Sequence, residues 1–299
     1  MITTSFTISQ YNKLKMFDPG DGVTHCESKL FTIGSRMGNN IRLFKEYNNI
    51  SDEYFCKKLY NLNILIQYRE LLKEKIPELV TFDSLAIVGG EIKGAIMPFI
   101  ENSTNLELFL KDNRNSLEDK LQYLKKIGEL LEKLKHIEGF PYNFFLSDLH
   151  EANFIIDSNR NLRVCDLDSA CFSNSIYFNS KYLFLNSIID DFPIKYKSDD
   201  NNINIPSRNT DIFCYITLLL NTLSRTNFTN VSIQQFYSYM NYLEDLHFPL
   251  DLLNCIEKIY RNCDNENPLP YLDNIPMNTA YQAHHLVYSK RTGRSLTSF

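Results

Sequence analysis

FLSDLHEANFIIDSNRNLRVCDLDSACF, residues 145–172, threads acids and asparagines through an otherwise apolar run. Periodicity divides it into a loop, a strand (FIID), an Asn-rich turn (SNRN), a second strand (LRVCD) and a further loop. The polar residues are not spread evenly. Asp148 precedes Asn153 by five positions, and Asn153 precedes Asp166, at the end of the second strand, by thirteen. Taken singly, these are common residues of turns and helix caps, and the Asp-x-x-x-x-Asn spacing alone is weak in an Asn-rich chain. The fold turns on what surrounds them.

Upstream, Ser116 and Asp119 form a capping-box pattern ahead of a stripe of Leu117, Leu121, Leu124, Ile127, Leu131 and Leu134, which predicts a core helix. Downstream, KSDDNNINIPSRN reads as an exposed polar loop, and TDIFCYITLLLNTL is apolar on nearly every face, which predicts a helix buried in the centre of its half. FPLDLLNCIEKIYRNC predicts another helix near the end. From about Asn105 onward the pattern is therefore helical.

The first hundred residues read instead as five strands and one long helix. QYNKLKMF and HCESKLFTI flank a turn containing Gly20 and Gly22. IRLFKEY alternates so that Ile41, Leu43 and Lys45 share a face, and LAIV and GAIMPFI are joined by Gly89-Gly90. The helix is predicted to start at Ser51, to carry Phe55, Leu59, Leu62 and Ile66 on its apolar side, and to stop before Pro77.

Composition bounds the function. With 299 residues, 43% of them apolar, the chain holds enough material for one large domain or two lobes. A net charge of −5 argues against a nucleic-acid surface built on clustered Lys and Arg. No signal-peptide pattern opens the chain and CYITLLLNTL is too short for a bilayer, so a soluble, cytoplasmic protein without membrane partners is expected. The seven cysteines contain no C-x-x-C pair, and they and the six histidines are too dispersed for a zinc site. Buried reduced thiols are expected, with His284-His285 a surface pair.

In order and spacing, Asp148, Asn153 and Asp166 resemble the protein-kinase-like superfamily, with Asp148 to Asn153 as catalytic loop and Asp166-Leu167-Asp168 in the place of D-F-G. The resemblance extends over nearly the whole chain. Lys45 matches the strand lysine, Met97, Pro98, Phe99 and Ile100 match the hinge, and Asp211 matches the acid that holds the catalytic loop. It implies an α+β, bilobal fold, with a small N-lobe of antiparallel sheet and one helix over residues 1–100 and a mainly helical C-lobe over 101–299. It also implies ATP and Mg2+ as cofactors. Asp148 would orient the attacking hydroxyl, Asn153 and Asp166 would hold the metal, and Lys45, Gly20, Gly22, Met97, Phe99 and Ile100 would contact the nucleotide.

Departures from the pattern limit what carries over. Leu146-Ser147 replace the His-Arg before the catalytic Asp, which argues against activation by loop phosphorylation. His150 follows Asp148 as in the aminoglycoside and choline kinase branch and in bacterial kinase-like proteins with Asp-x-Asp-Ser. Asp168 replaces a glycine and reads as a further metal-side carboxylate or, preferably, as a loop acid accepting backbone N–H groups. No glutamate stands where the helix partner of Lys45 is expected; Glu70 is the nearest downstream candidate, and Asp166 alone is the favoured partner. A Ser/Thr protein kinase-like phosphotransferase is the leading expectation, with a small-molecule kinase or a nucleotide-binding pseudokinase scaffold as alternatives.

Overall fold

A computed structural model describes residues 1–17, 28–34, 41–48, 52–172, 208–224, 233–262 and 266–277. The fold is α+β, and the chain forms two compact units. Met1–Asn105, Ile137–Phe144 and Ala152–Ile176 make up the first, and Leu106–His136, Phe145–Glu151 and Tyr177–Phe299 the second. Gly20, Gly22, Ser51, Cys26, Cys263, His284 and His285 lie outside the described residues, as does most of the KSDDNNINIPSRN segment.

The first unit is built on a six-stranded sheet in the order β1-β5-β6-β4-β3-β2, with β1 Thr3–Phe6, β2 Lys15–Met16, β3 Ser28–Ile33, β4 Arg42–Tyr47, β5 Ser84–Val88 and β6 Glu91–Pro98. Five neighbours pair as a strand-rich half requires, but β1 adds a sixth strand parallel to β5, with Thr3 opposite Leu85. The sheet is thus mixed rather than purely antiparallel. The expected strand QYNKLKMF contracts to β2, because Ile8–Tyr11 forms a short helix, α1. Its start is a capping box, in which the Thr7 hydroxyl accepts from Gln10 N–H at 3.2 Å and the Gln10 side chain accepts from Thr7 N–H at 2.8 Å.

Strand β4 is buried on both faces. Phe44 belongs to a core with Ala86, Val88 and Ile96, and it stacks on Phe6 at 5.8 Å. Leu43, Lys45 and Tyr47 point the other way and are buried too. Between β5 and β6, Gly89 and Gly90 take φ of 60° and 95°, the paired positive angles that a two-residue hairpin loop demands. The single predicted helix is two: α2 Asp52–Gln67 and α3 Arg69–Lys75. They break at Tyr68, whose ring packs edge-on against Phe140 at 5.2 Å and Tyr142 at 6.1 Å.

The strands predicted on either side of SNRN form as Phe154–Ile156 and Leu162–Val164, an antiparallel pair extended by β7, Thr104–Asn105. The turn between them is closed by Asp157, which accepts from Asn159 N–H and Asn161 N–H, both at 2.9 Å. Val80 N–H donates to Val164 O and Val164 N–H to Glu78 O, both at 2.8 Å, so the pair is also pinned to the segment after α3.

The second unit is helical among the described residues: α4 Leu106–Lys111, α5 Leu117–Leu134, α6 Arg208–Ser224, α7 Ile233–Asp245, α8 Leu250–Asn262 and α9 Leu269–Leu272. Ser116 caps α5, accepting from Asp119 N–H at 3.0 Å and donating to the Asp119 carboxylate at 2.7 Å. Helix α6 is the buried one, as its composition predicts, with Phe213, Ile216, Leu219 and Leu220 wholly out of solvent. Tyr260 of α8 stacks on Phe236 of α7 at 4.7 Å and meets the Thr217 hydroxyl of α6 at 2.8 Å. Among the described residues, Cys56, Cys165, Cys171, Cys214 and Cys255 are free thiols; the last three are buried and Cys56 is exposed. No described helix is long and apolar enough to cross a membrane.

Candidate functional site

In the first unit the chain gathers four charged side chains in an alternating row: Lys58, Asp168, Lys45 and Asp166. Lys45 Nζ donates to an Asp166 oxygen through a short ion pair, and to Asp168 Oδ1 at 2.9 Å. The other Asp168 oxygen takes Lys58 Nζ, also at 2.9 Å. Tyr47 places its ring 5.6 Å from Lys45 Nζ and 5.5 Å from Lys58 Nζ, and Tyr54 adds a second ring 5.3 Å from Lys58. Burial works against the charge on Lys45, yet Asp166 and Asp168 overcome it and hold its pKa above the ordinary lysine range.

The two acids behave oppositely. Burial penalises the Asp168 carboxylate, but Lys45 and Lys58 outweigh that and keep it well below the usual range, so it stays ionised with a side chain only 1% exposed. Asp166 is pushed up to about 6, by surrounding protein first and then by the Asp168 charge, with Lys45 opposing. Its side chain is 44% exposed, so solvent softens that push and leaves this carboxylate open to a cation.

Local structure sets the Asp166 direction. Its backbone is left-handed, with φ 62° and ψ 42°, at the entry to a single helical turn, Leu167–Ser169. Aspartate tolerates that region better than most residues, and such angles persist where surrounding structure enforces them. Here the preceding residue is clamped, because Cys165 N–H and Cys165 Sγ both donate to Asn153 O, at 2.9 and 3.2 Å. Asn153 is thereby fixed opposite Cys165, the residue before Asp166, and Asn105 donates to Ala152 O at 3.0 Å to fix the turn before Asn153.

Strand β4 presents Lys45 with β6 paired beside it. A Cβ on Gly94 would sit 1.9 Å from the Lys45 carbonyl oxygen, so only glycine fits opposite this part of β4. Met97 lies in β6 opposite Leu43. Phe99 N–H donates to Ile41 O at 3.4 Å and its ring meets Phe17 at 5.3 Å, while Ile100 O accepts from Ser103 Oγ at 2.9 Å.

The second unit holds Asp148. Its backbone N–H donates to Leu146 O at 2.7 Å across Ser147, which is left-handed at φ 57° and wholly buried. Asp211, near the start of α6, accepts from Leu146 N–H and Ser147 N–H at 2.8 Å each, as its sequence position implied. Burial raises the Asp211 carboxyl to about 7, with the two N–H groups working in the opposite direction. His150 Nε2 stands 3.5 Å from Asp148 Oδ2.

Two sequence expectations need correction. Asp168 is no loop acid taking backbone N–H groups; its carboxylate carries two lysines. Lys45 is held by Asp168 as well as by Asp166, and Glu70 has no part in it: Glu70 is 74% exposed on α3 and pairs with Arg69 at 3.0 Å. Lys58, Asn61 and Gly94 went unread. The first two carried a signal, being polar residues at helical spacing with Leu62 and Leu65 on what is the buried side of α2.

Whether the site suits a divalent cation can be judged from its donors. Asp166 and Asn153 are hard oxygen-bearing groups, Asn153 being bonded to Cys165, the residue before Asp166, and the described residues contain no cluster of three or more acids, histidines or cysteines that would form a protein-only cage. That fits an ion that takes one or two protein oxygens and completes its shell with phosphate and water, as magnesium does. No family model matches the chain, and no curated protein matches it.

Proposed function

We propose that this chain is an ATP- and magnesium-dependent phosphotransferase of the protein-kinase-like superfamily, bilobal in architecture and acting on protein Ser or Thr hydroxyls. The observation that carries the reading is the buried Lys45 between two carboxylates, of which Asp166 alone is open to solvent and follows Cys165, whose N–H donates to Asn153 O. Asp166 and Asn153 would hold magnesium, which would supply neutralisation of charge on the nucleotide phosphates.

The chain's own residues do the rest. Asp168 holds Lys45 independently of Asp166, so with Asp166 engaged by a metal the ammonium would keep one fixed anion and have N–H donors left for phosphate oxygens. Asp148 is set by a strained turn that Asp211 grips from below, which gives the carboxylate a fixed direction for accepting the hydroxyl proton. His150 beside it limits the rotation of that carboxylate.

Incubation of the purified chain with labelled ATP, with and without Mg2+, protein acceptors and small hydroxyl compounds, tests the reaction and the acceptor together. Asp148→Ala is expected to fold and bind nucleotide yet transfer nothing, whereas Asp166→Ala loses metal-dependent nucleotide binding as well. Equal transfer by wild type and Asp148→Ala sinks the assignment; label on small hydroxyl compounds alone moves the acceptor to that class.

A further inference from the structure

We propose that Lys58 is a positioning residue that acts on Lys45 through Asp168, so that helix α2 governs the strand lysine by a cation and a shared carboxylate rather than by a carboxylate of its own. The inference rests on the reading of Lys45 as a phosphate-binding group. Three contacts carry it. Each oxygen of Asp168 is taken by one lysine at 2.9 Å, so the position of one ammonium fixes the carboxylate that meets the other. Asn61, one turn after Lys58 on the same helix, donates Nδ2 to Ala170 O at 2.7 Å, a second tie from α2 to the segment that carries Asp168. Lys58, Asn61 and Asp168 are all buried, so neither tie competes with water.

A row of buried charges is a poor way to gain stability, since apolar side chains of similar volume would serve as well or better. What the row does provide is direction. Asp166 and Asp168 sit two residues apart in one turn, with Asp166 facing outward and Asp168 inward. A shift of α2 along its axis drags Asp168 through Lys58 and Ala170 through Asn61, and Lys45 follows Asp168. The helix thereby sets the ammonium that meets the nucleotide and the turn that presents Asp166 in a single motion.

The test uses full-length chain carrying Lys58→Met, Lys58→Arg, Asp168→Asn and the double substitution Lys58→Met with Asp168→Asn. Three quantities are read: thermal midpoint, affinity for a fluorescent ATP analogue with Mg2+, and amide hydrogen exchange over residues 167–170 without nucleotide. Loss of a charge-assisted hydrogen bond at Asp168 is expected to weaken nucleotide binding about tenfold in Lys58→Met. Exchange at 167–170 should speed up to a similar degree. Lys58→Arg restores both to within about threefold, and the double variant binds no more weakly than Asp168→Asn, because the two residues act as one unit. If Lys58→Met is insoluble, Lys58→Gln is read by the same criteria. A lowered midpoint with unchanged affinity and unchanged exchange overturns the proposal, leaving Lys58 a packing residue. Should wild type bind no nucleotide, the proposed function fails while exchange alone decides the coupling: acceleration rescued by arginine supports it, and no acceleration refutes it.

Discussion

Replacing Asp211 by alanine removes the acceptor for two backbone N–H groups at once. Leu146 N–H and Ser147 N–H each reach the carboxylate at 2.8 Å, in a region where Ser147 is wholly buried and Asp211 itself is 3% exposed. A buried donor left without an acceptor costs about 1–3 kcal/mol, so two of them set the loss at roughly 2–6 kcal/mol. The figure depends on pH. Burial raises the folded carboxyl to about 7 from an ordinary 3.8, so the folded state holds a proton that the unfolded chain releases between those values. Wild-type stability from this group is fully present below pH 3.8 and is lost as pH rises to about 7. At about 1.4 kcal/mol per unit the loss amounts to roughly 4 kcal/mol. Asp211→Ala has no such term. It is expected to lower the thermal midpoint most below pH 3.8, by roughly 4–12 °C, less at pH 5 and least at pH 8. Thermal melts of both proteins across that range check the expectation, and the proposed phosphotransfer should fall with stability as Ser147 leaves its left-handed turn. Equal midpoints at each pH, or a deficit that grows from pH 5 to pH 8, would refute the reasoning.

Gly94→Ala drives a Cβ to within 1.9 Å of the Lys45 carbonyl, so β4 or β6 must shift. A cost of at least about 1–3 kcal/mol and weaker nucleotide binding are expected, measured by denaturant melts and nucleotide titration. Glu70 is itself 74% exposed where it meets Arg69 and Lys73, so Glu70→Gln should stay within about 0.5 kcal/mol of wild type with unchanged activity, a result that kinetics and melts read directly. Lys45→Met, by contrast, breaks a buried pair with Asp168 and is expected to cost about 3–5 kcal/mol and to abolish nucleotide binding. Activity retained in Lys45→Met would remove Lys45 from the site.

Local rules wrote the legible parts of the chain. The Gly89-Gly90 hairpin, the Ser116 cap, the apolar α6 and the strand pair around SNRN each follow from residues within one turn or one ladder of each other. Asp211 came from the resemblance and not from a local rule, since the N–H groups of Leu146 and Ser147 that it takes lie 65 and 64 positions away. What escaped depends on pairing at a distance. TTSF has no apolar face of its own, and only β5, some eighty residues on, makes it a strand. QYNKLKMF alternates well enough for a strand, but the Thr7–Gln10 box competes and wins its first half. The break at Tyr68 has neither Gly nor Pro to announce it, since it comes with rings some seventy residues downstream. The Lys58–Asp168 pair spans 110 positions, beyond the reach of any helical or strand period.

The division of the chain has a consequence for anyone who would take it apart. The first unit is assembled from three separate segments and the second from three others, interleaved along the sequence. A fragment ending at Asn105 would carry β7 without the strand Phe154–Ile156 that pairs with it, and Lys45 without Asp166 or Asp168. Lys45 and Lys58 would then lose the Asp168 carboxylate that they share. Neither unit is therefore a continuous stretch of sequence that a single truncation or graft could move intact.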